Sequence, residues 1–171
     1  WALLDDDVLA WHLSVDTKPM FLRQLLDIRQ MMEPKAAAWA ALHGTDAQHA
    51  DIEAAQIRME EESHSIEDFV VADALFHRTI LRAANNEILL SMEGVIFSAL
   101  LSSIRMTNRD PRENVSSIPF HRKVLDAIKA RDHKQAEKMM NDHLSDTSQR
   151  LKSALGETPG GVISNGGPRT D

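Results

Sequence analysis

An all-α fold, an antiparallel bundle of about six to seven helices, is what this chain predicts, and three observations carry it. Glycine is scarce: only Gly44 and Gly94 precede Gly156, and the other five glycines lie in the last sixteen residues. A β-rich domain needs more turn glycines than that. The body is rich in Ala, Leu, Met, Glu, Gln and Arg, which favour helices. No segment sustains the apolar/polar alternation of a half-buried strand.

The elements follow in order. A short helix covers about 5–14, and SVDTKP loops into a long helix from about 18 to 43. Gly44 stops that helix, and Pro34 inside it should kink it. Thr45 or Asp46 caps a helix of about 46–62. Ser65 with Asp68 three residues on resembles a capping box opening a helix of about 66–84. Asn85 and Asn86 interrupt, and a helix follows from about 86 to 107. The loop around Pro111 leads to a helix of about 115–130, and Asp132 caps the last one, about 133–155. Residues 1–155 read as one domain. The Gly/Pro-rich stretch over 156–171 reads as a flexible tail. Short connections favour antiparallel neighbours. In the last helix Ala136, Met139, Met140, Leu144, Leu151 and Leu155 keep helical spacing, with His143 beside them.

Composition narrows the function. At 171 residues and 43% apolar, the chain is long enough for one globular core. No apolar run approaches the roughly 20 residues that span a bilayer, and the acidic start, WALLDDDVLAW, is not a signal peptide. The absence of cysteine removes disulfides and thiolate metal sites and suits a cytoplasmic protein. A net charge of −7 argues against direct nucleic-acid binding, which needs clustered Lys and Arg. The nearest cluster, RMTNRDPR (105–112), is short and interrupted by Asp110; the simplest reading of it is a solvated loop.

The chemistry concentrates in four residues. Asp73 and His77, in ADALFHRTIL, stand four apart, on one helix face and one turn from each other. His121 lies about ten residues before the turn at Arg131–Asp132, and His143 about eleven after it. In an antiparallel hairpin, positions equidistant from the turn lie side by side. One carboxylate and three imidazoles suit zinc or a similar divalent metal, with nickel and manganese as alternatives. A hydrogen-bonded Asp–His pair on a solvated face is the competing reading. His12, His43, His49, His64 and His133 read as surface or helix-end residues with no role.

Three segments resemble the ligand-binding (FCD) domain of GntR-type transcription regulators of the FadR subgroup. They are RQMMEPKAAAWAA (29–41), DALFHRTILRAANNEIL (73–89) and FHRKVLDAIKARDHKQAEKMMNDHL (120–144). WALLDDDVLAW also resembles the start of this domain in sugar-acid regulators. The family pattern often has Glu before the first hairpin histidine, where this chain has Phe120. The resemblance implies Asp73, His77, His121 and His143 as metal ligands and Arg29 as a pocket residue that grips a carboxylate effector. An i, i+4 salt bridge to Glu33 is the alternative for Arg29. Arg105 is a second candidate anion contact, with a solvated helix end as its alternative. The resemblance further implies a homodimer and a preceding winged helix-turn-helix domain, absent from this chain, through which DNA would be bound. Trp1 and Trp11 are candidates for packing at that junction. The expected function is metal-dependent sensing of a sugar acid or hydroxy acid, without catalysis. A metal-dependent hydrolase would want a general base between its ligands, and DALFH offers only Leu75 and Phe76 there. A purely structural helical interaction module is the remaining alternative.

Overall fold

The computed structural model describes residues 19–94, 97, 100, 101, 104 and 111–156. The expected helix at 5–14, Trp1, Trp11, Arg105 and residues 157–171 lie outside the described residues. Six helices are described: α1 (Pro19–His43), α2 (Asp46–Glu61), α3 (Ile66–Ala83), α4 (Glu87–Ser91), α5 (Pro111–Lys129) and α6 (His133–Ala154). Among the described residues there is no strand.

The start signals act where the sequence places them. Thr45 caps α2 with a complete capping box: Gln48 N–H donates to Thr45 Oγ1 at 3.2 Å, and Thr45 N–H to Gln48 Oε1 at 2.9 Å. Asp132 caps α6 by accepting from Gln135 N–H at 3.0 Å. Ser65 caps α3, but the box expected there is only half made. Its hydroxyl accepts from Asp68 N–H and donates to Asp68 Oδ2, while Ser65 N–H goes to Glu62 O. Helix α5 begins at Pro111, not near 115. Proline fits the first helical turn because its missing N–H would have no partner there anyway. In place of one helix from 86, Asn86 caps the five-residue α4, a turn follows at Met92, and helical residues resume at Glu93. Helix α1 runs unbroken across Pro34.

Two of the helix ends are built by residues other than glycine. Asn85 and Arg131 take left-handed backbone conformations, φ 50° and 56°. After α5, Arg131 N–H bonds to Ile128 O and Asp132 N–H to Ala127 O, the paired bonds of a Schellman motif. Both side chains then reach the loop joining α1 to α2. Asn85 Nδ2 donates to His43 O at 2.8 Å, and Arg131 Nη1 to Gly44 O at 3.0 Å. Carbonyls that α1 leaves unpaired at its end are thereby satisfied.

Helix α1 packs on α6, α3 and α5; α2 packs on α3 and α5; α5 and α6 form a hairpin. The core is one large cluster that includes Ile52, Phe69, Phe76, Ile80, Leu125 and Met140. A small second cluster of Leu22, Leu26 and Leu151 joins the start of α1 to the end of α6. His49 is a correction to the sequence reading. It is buried in this interior, its Nε2 donating to Ala40 O at 2.9 Å.

Candidate metal centre

Asp73 and His77 lie on the same face of α3 as Phe69, Phe76 and Ile80, so the helix that buries its apolar stripe also buries them. His121 follows Ser117 by one turn on α5 and precedes Val124 and Ile128 on the core side. His143 sits in the α6 stripe between Met140 and Thr147. All four are almost wholly shielded: Asp73 is 5% exposed and the three histidines 0–2%.

The side chains converge on one point. Asp73 Oδ1 lies 3.2 Å from His77 Nε2 and 3.2 Å from His121 Nε2. His143 Nε2 lies 3.3 Å from His77 Nε2. Ligand atoms from the three histidines all fall within 4.8 Å of one another. Donors about 2.05 Å from a tetrahedral zinc stand about 3.3 Å apart, so these spacings suit a zinc-sized ion.

Proton accounting gives a second test of fit. His121 Nδ1 lies 3.0 Å from Ser117 O. A carbonyl only accepts, so this nitrogen carries the proton and, in a neutral ring, Nε2 carries the lone pair. That lone pair faces Asp73 Oδ1. Burial raises the Asp73 pKa, but charge and hydrogen bonds from His121 and His77 outweigh it and hold the carboxyl well below its usual range. Two acceptors so close need a proton or a cation between them. His143 is kept neutral: burial, then the positive character of His121 and His77, push its pKa well below the usual imidazole value. A neutral imidazole is the form that binds a metal.

Arg29 and Glu33 complete the cluster from α1. Arg29 Nε donates to Glu33 Oε1 at 2.6 Å, and both side chains are 2% exposed. Arg29 Nη2 lies 3.3 Å from His77 Nε2, and Nη1 has no partner. Glu33 Oε2 lies 2.7 Å from His77 Nδ1, close but poorly aligned for a hydrogen bond. Burial alone would raise the Glu33 pKa; the charges of Arg29 and His77 win and lower it to about 2. His77 is raised: burial opposes its protonation, and Glu33 and Asp73 overcome that. Phe76 sets its ring edge-on to His77 and His121, centroids 5.7 and 5.1 Å away, and forms a dry wall.

The structure thus brings together five of the six site residues read from sequence; Arg105 lies outside the described residues. Arg29 makes the i, i+4 salt bridge to Glu33 that was its alternative reading, and it also borders the histidines. Glu33 was missed as part of the site. Its signals in sequence are the i, i+4 spacing to Arg29 and its place in the family-like segment 29–41, and neither reveals that α1 lays it against His77. Phe120 is half-buried, its ring centroid 6.3 Å from that of His143.

Residues 24–146, well over half of the chain, match the family described as FCD domain. The galactonate operon transcriptional repressor of Escherichia coli (strain K12) is 29% identical over 153 residues, which is 89% of this chain and 67% of that protein. The Glc operon transcriptional activator of the same organism is 25% identical over 144 residues, 79% of this chain and 57% of that protein. Both relatives are transcriptional regulators, not enzymes. Among solved structures, E. coli McbR/YncC superimposes with a TM-score of 0.70 at 18% identity, covering 80% of this chain and 66% of that one. The chain therefore spans about two thirds or less of the proteins it matches.

Proposed function

Because the chain belongs to the FCD-domain family of GntR-type transcription regulators, we propose that it is a metal-dependent effector-binding domain. It senses a small carboxylate, a sugar acid or hydroxy acid, and controls DNA binding by a winged helix-turn-helix domain. Asp73, His77, His121 and His143 would hold the divalent ion, zinc in the first instance. The observation that carries this reading is His121 Nε2 facing Asp73 Oδ1 while Ser117 holds the proton on the opposite nitrogen. When bound, a metal that accepts five or six ligands would supply a net positive centre and, beyond these four side chains, a position for a ligand oxygen.

The chain's own residues do the rest. Ser117 O fixes the His121 tautomer, and the Phe76 ring excludes water. Arg29 Nη1, buried and without a partner, offers a charge-assisted bond to a carboxylate. Arg105 is proposed as a second anion contact on its charge alone. Two copies would pair as a homodimer. Effector binding would bias the bundle between two arrangements, and coupling of about 1–3 kcal/mol changes DNA affinity roughly 5–150-fold.

The test is elemental analysis of protein purified without a His tag, followed by a thermal-shift screen of sugar acids and hydroxy acids. We expect near-stoichiometric metal in the wild type, loss of it in His77→Ala, and an acid that raises Tm only when metal is present. A metal-free wild type whose stability His77→Ala leaves unchanged would overturn the reading. Consumption of the acid would replace sensing with catalysis.

A further inference from the structure

We propose that Glu33 is a positioning residue for His77, a single buried carboxylate that serves the effector arginine with one oxygen and the metal ligand with the other. The inference rests on the metal-sensor reading above. Glu33 Oε1 takes Arg29 Nε at 2.6 Å, which fixes the carboxylate in place. The second oxygen has two suitors. Arg29 Nη2 stands 3.5 Å from it, at the limit of a hydrogen bond, while His77 Nδ1 stands at 2.7 Å. Arg29 Nη2 is aligned to donate to it, whereas His77 Nδ1, nearer but poorly aligned, meets it as a close ionic contact.

The consequence for His77 is a choice of tautomer. The negative charge of a carboxylate 2.7 Å from Nδ1 favours the proton there, and the Nε2 lone pair then faces Asp73 Oδ1, His143 Nε2 and the Arg29 Nη2 donor. Partners on the outer nitrogen of a ligating histidine set both ring orientation and ligand strength. His121 receives the same service from a backbone carbonyl. His77 receives it from a charged group that is also tied to Arg29.

That shared oxygen pair links two binding events. Glu33 holds Arg29 by Nε and leaves Nη1 bare inside the protein. An anion at Nη1 draws on the guanidinium that anchors Glu33, and Glu33 in turn steadies His77. Anion and metal should therefore change each other's affinity by the same factor.

The experiment measures zinc affinity of the 171-residue protein by competition with a chromophoric chelator, together with the visible spectrum of the cobalt(II) form. Glu33→Gln should weaken zinc about 10–100-fold and shift the cobalt bands. Glu33→Gln leaves Arg29 buried without a counter-charge, so Arg29→Gln and the double variant Arg29→Gln/Glu33→Gln provide a second comparison. The same weakening and band shift should appear between these two. If the double variant matches Arg29→Gln in zinc affinity and cobalt spectrum, Glu33 serves only to neutralise Arg29 and the proposal fails. If the wild type takes up neither zinc nor cobalt, the metal reading itself fails, and this inference with it.

Discussion

A single hydrogen atom on Gly44 holds one end of α1 against α2. A Cβ built there would stand 2.4 Å from Ala40 O and 2.5 Å from His49 Nε2. Gly44 is thus required by close approach, not by a left-handed backbone. Gly44→Ala should cost about 1–3 kcal/mol, the usual range for forcing atoms into a filled interior, read as a lower urea midpoint with an unchanged m-value. An unaltered midpoint would mean that His49 leaves the site at no cost. From sequence, Gly44 was legible as a helix stop, because a glycine after a long helical run is a strong local signal. His49 was not: its burial depends on how α2 folds back on the end of α1, and residue spacing within α2 says nothing of that.

At the scale of elements, helix ends were the best-read features where one residue decides them. Thr45 and Asp132 cap as expected because a cap is a local bond. The start of α5 falls at Pro111 and not near 115, because a proline that reads as part of a loop is equally at home in a first helical turn. The turns after α3 and α5 carry a further demand, since Asn85 and Arg131 adopt positive φ. Asn85 also donates to His43 O and accepts from Gln48 Nε2. Asn85→Ala should lose these bonds and keep the backbone strain, costing about 1–3 kcal/mol. Asn85→Gly loses the bonds but relieves the strain, so it should recover part of the loss. Chemical denaturation of the pair separates the two contributions; equal midpoints would show that the backbone conformation contributes nothing.

Across the whole molecule, carboxylates held below their ordinary range make the protein sensitive to acid when no metal is bound. Glu33 is lowered to about 2; Asp73 falls well below its usual range, and Glu60 and Glu93 are also lowered. Each pKa is depressed in the folded state, so the unfolded chain binds more protons as the pH falls. Their contribution is full above about pH 5 and is lost on acidification toward their folded values. His143, also depressed, adds to the loss from about pH 6.5 downward. His77, raised, opposes it, because its contribution is present below about pH 6.5 and lost above its folded value. In excess chelator the urea midpoint should fall between pH 6 and pH 3, and Glu33→Gln should flatten that fall. A midpoint independent of pH across this range would contradict the charge arrangement.

The bundle and four convergent side chains were legible at this scale, because Asp73 and His77 share one helix turn and the α5–α6 hairpin is nearly symmetric about its turn. The Arg29–Glu33–His77 chain was not, since it depends on the register of α1 across α3, and the intervening residues are set by packing. The same packing leaves the four convergent groups at most 5% exposed. An ion seated there escapes only when the helices breathe apart, so its residence time follows the free energy of local opening. Kinetics would then outrank the intrinsic preference order of the metals. The cell's supply at the moment of folding would decide the occupant, and growth-medium supplementation would rewrite it more readily than later dialysis.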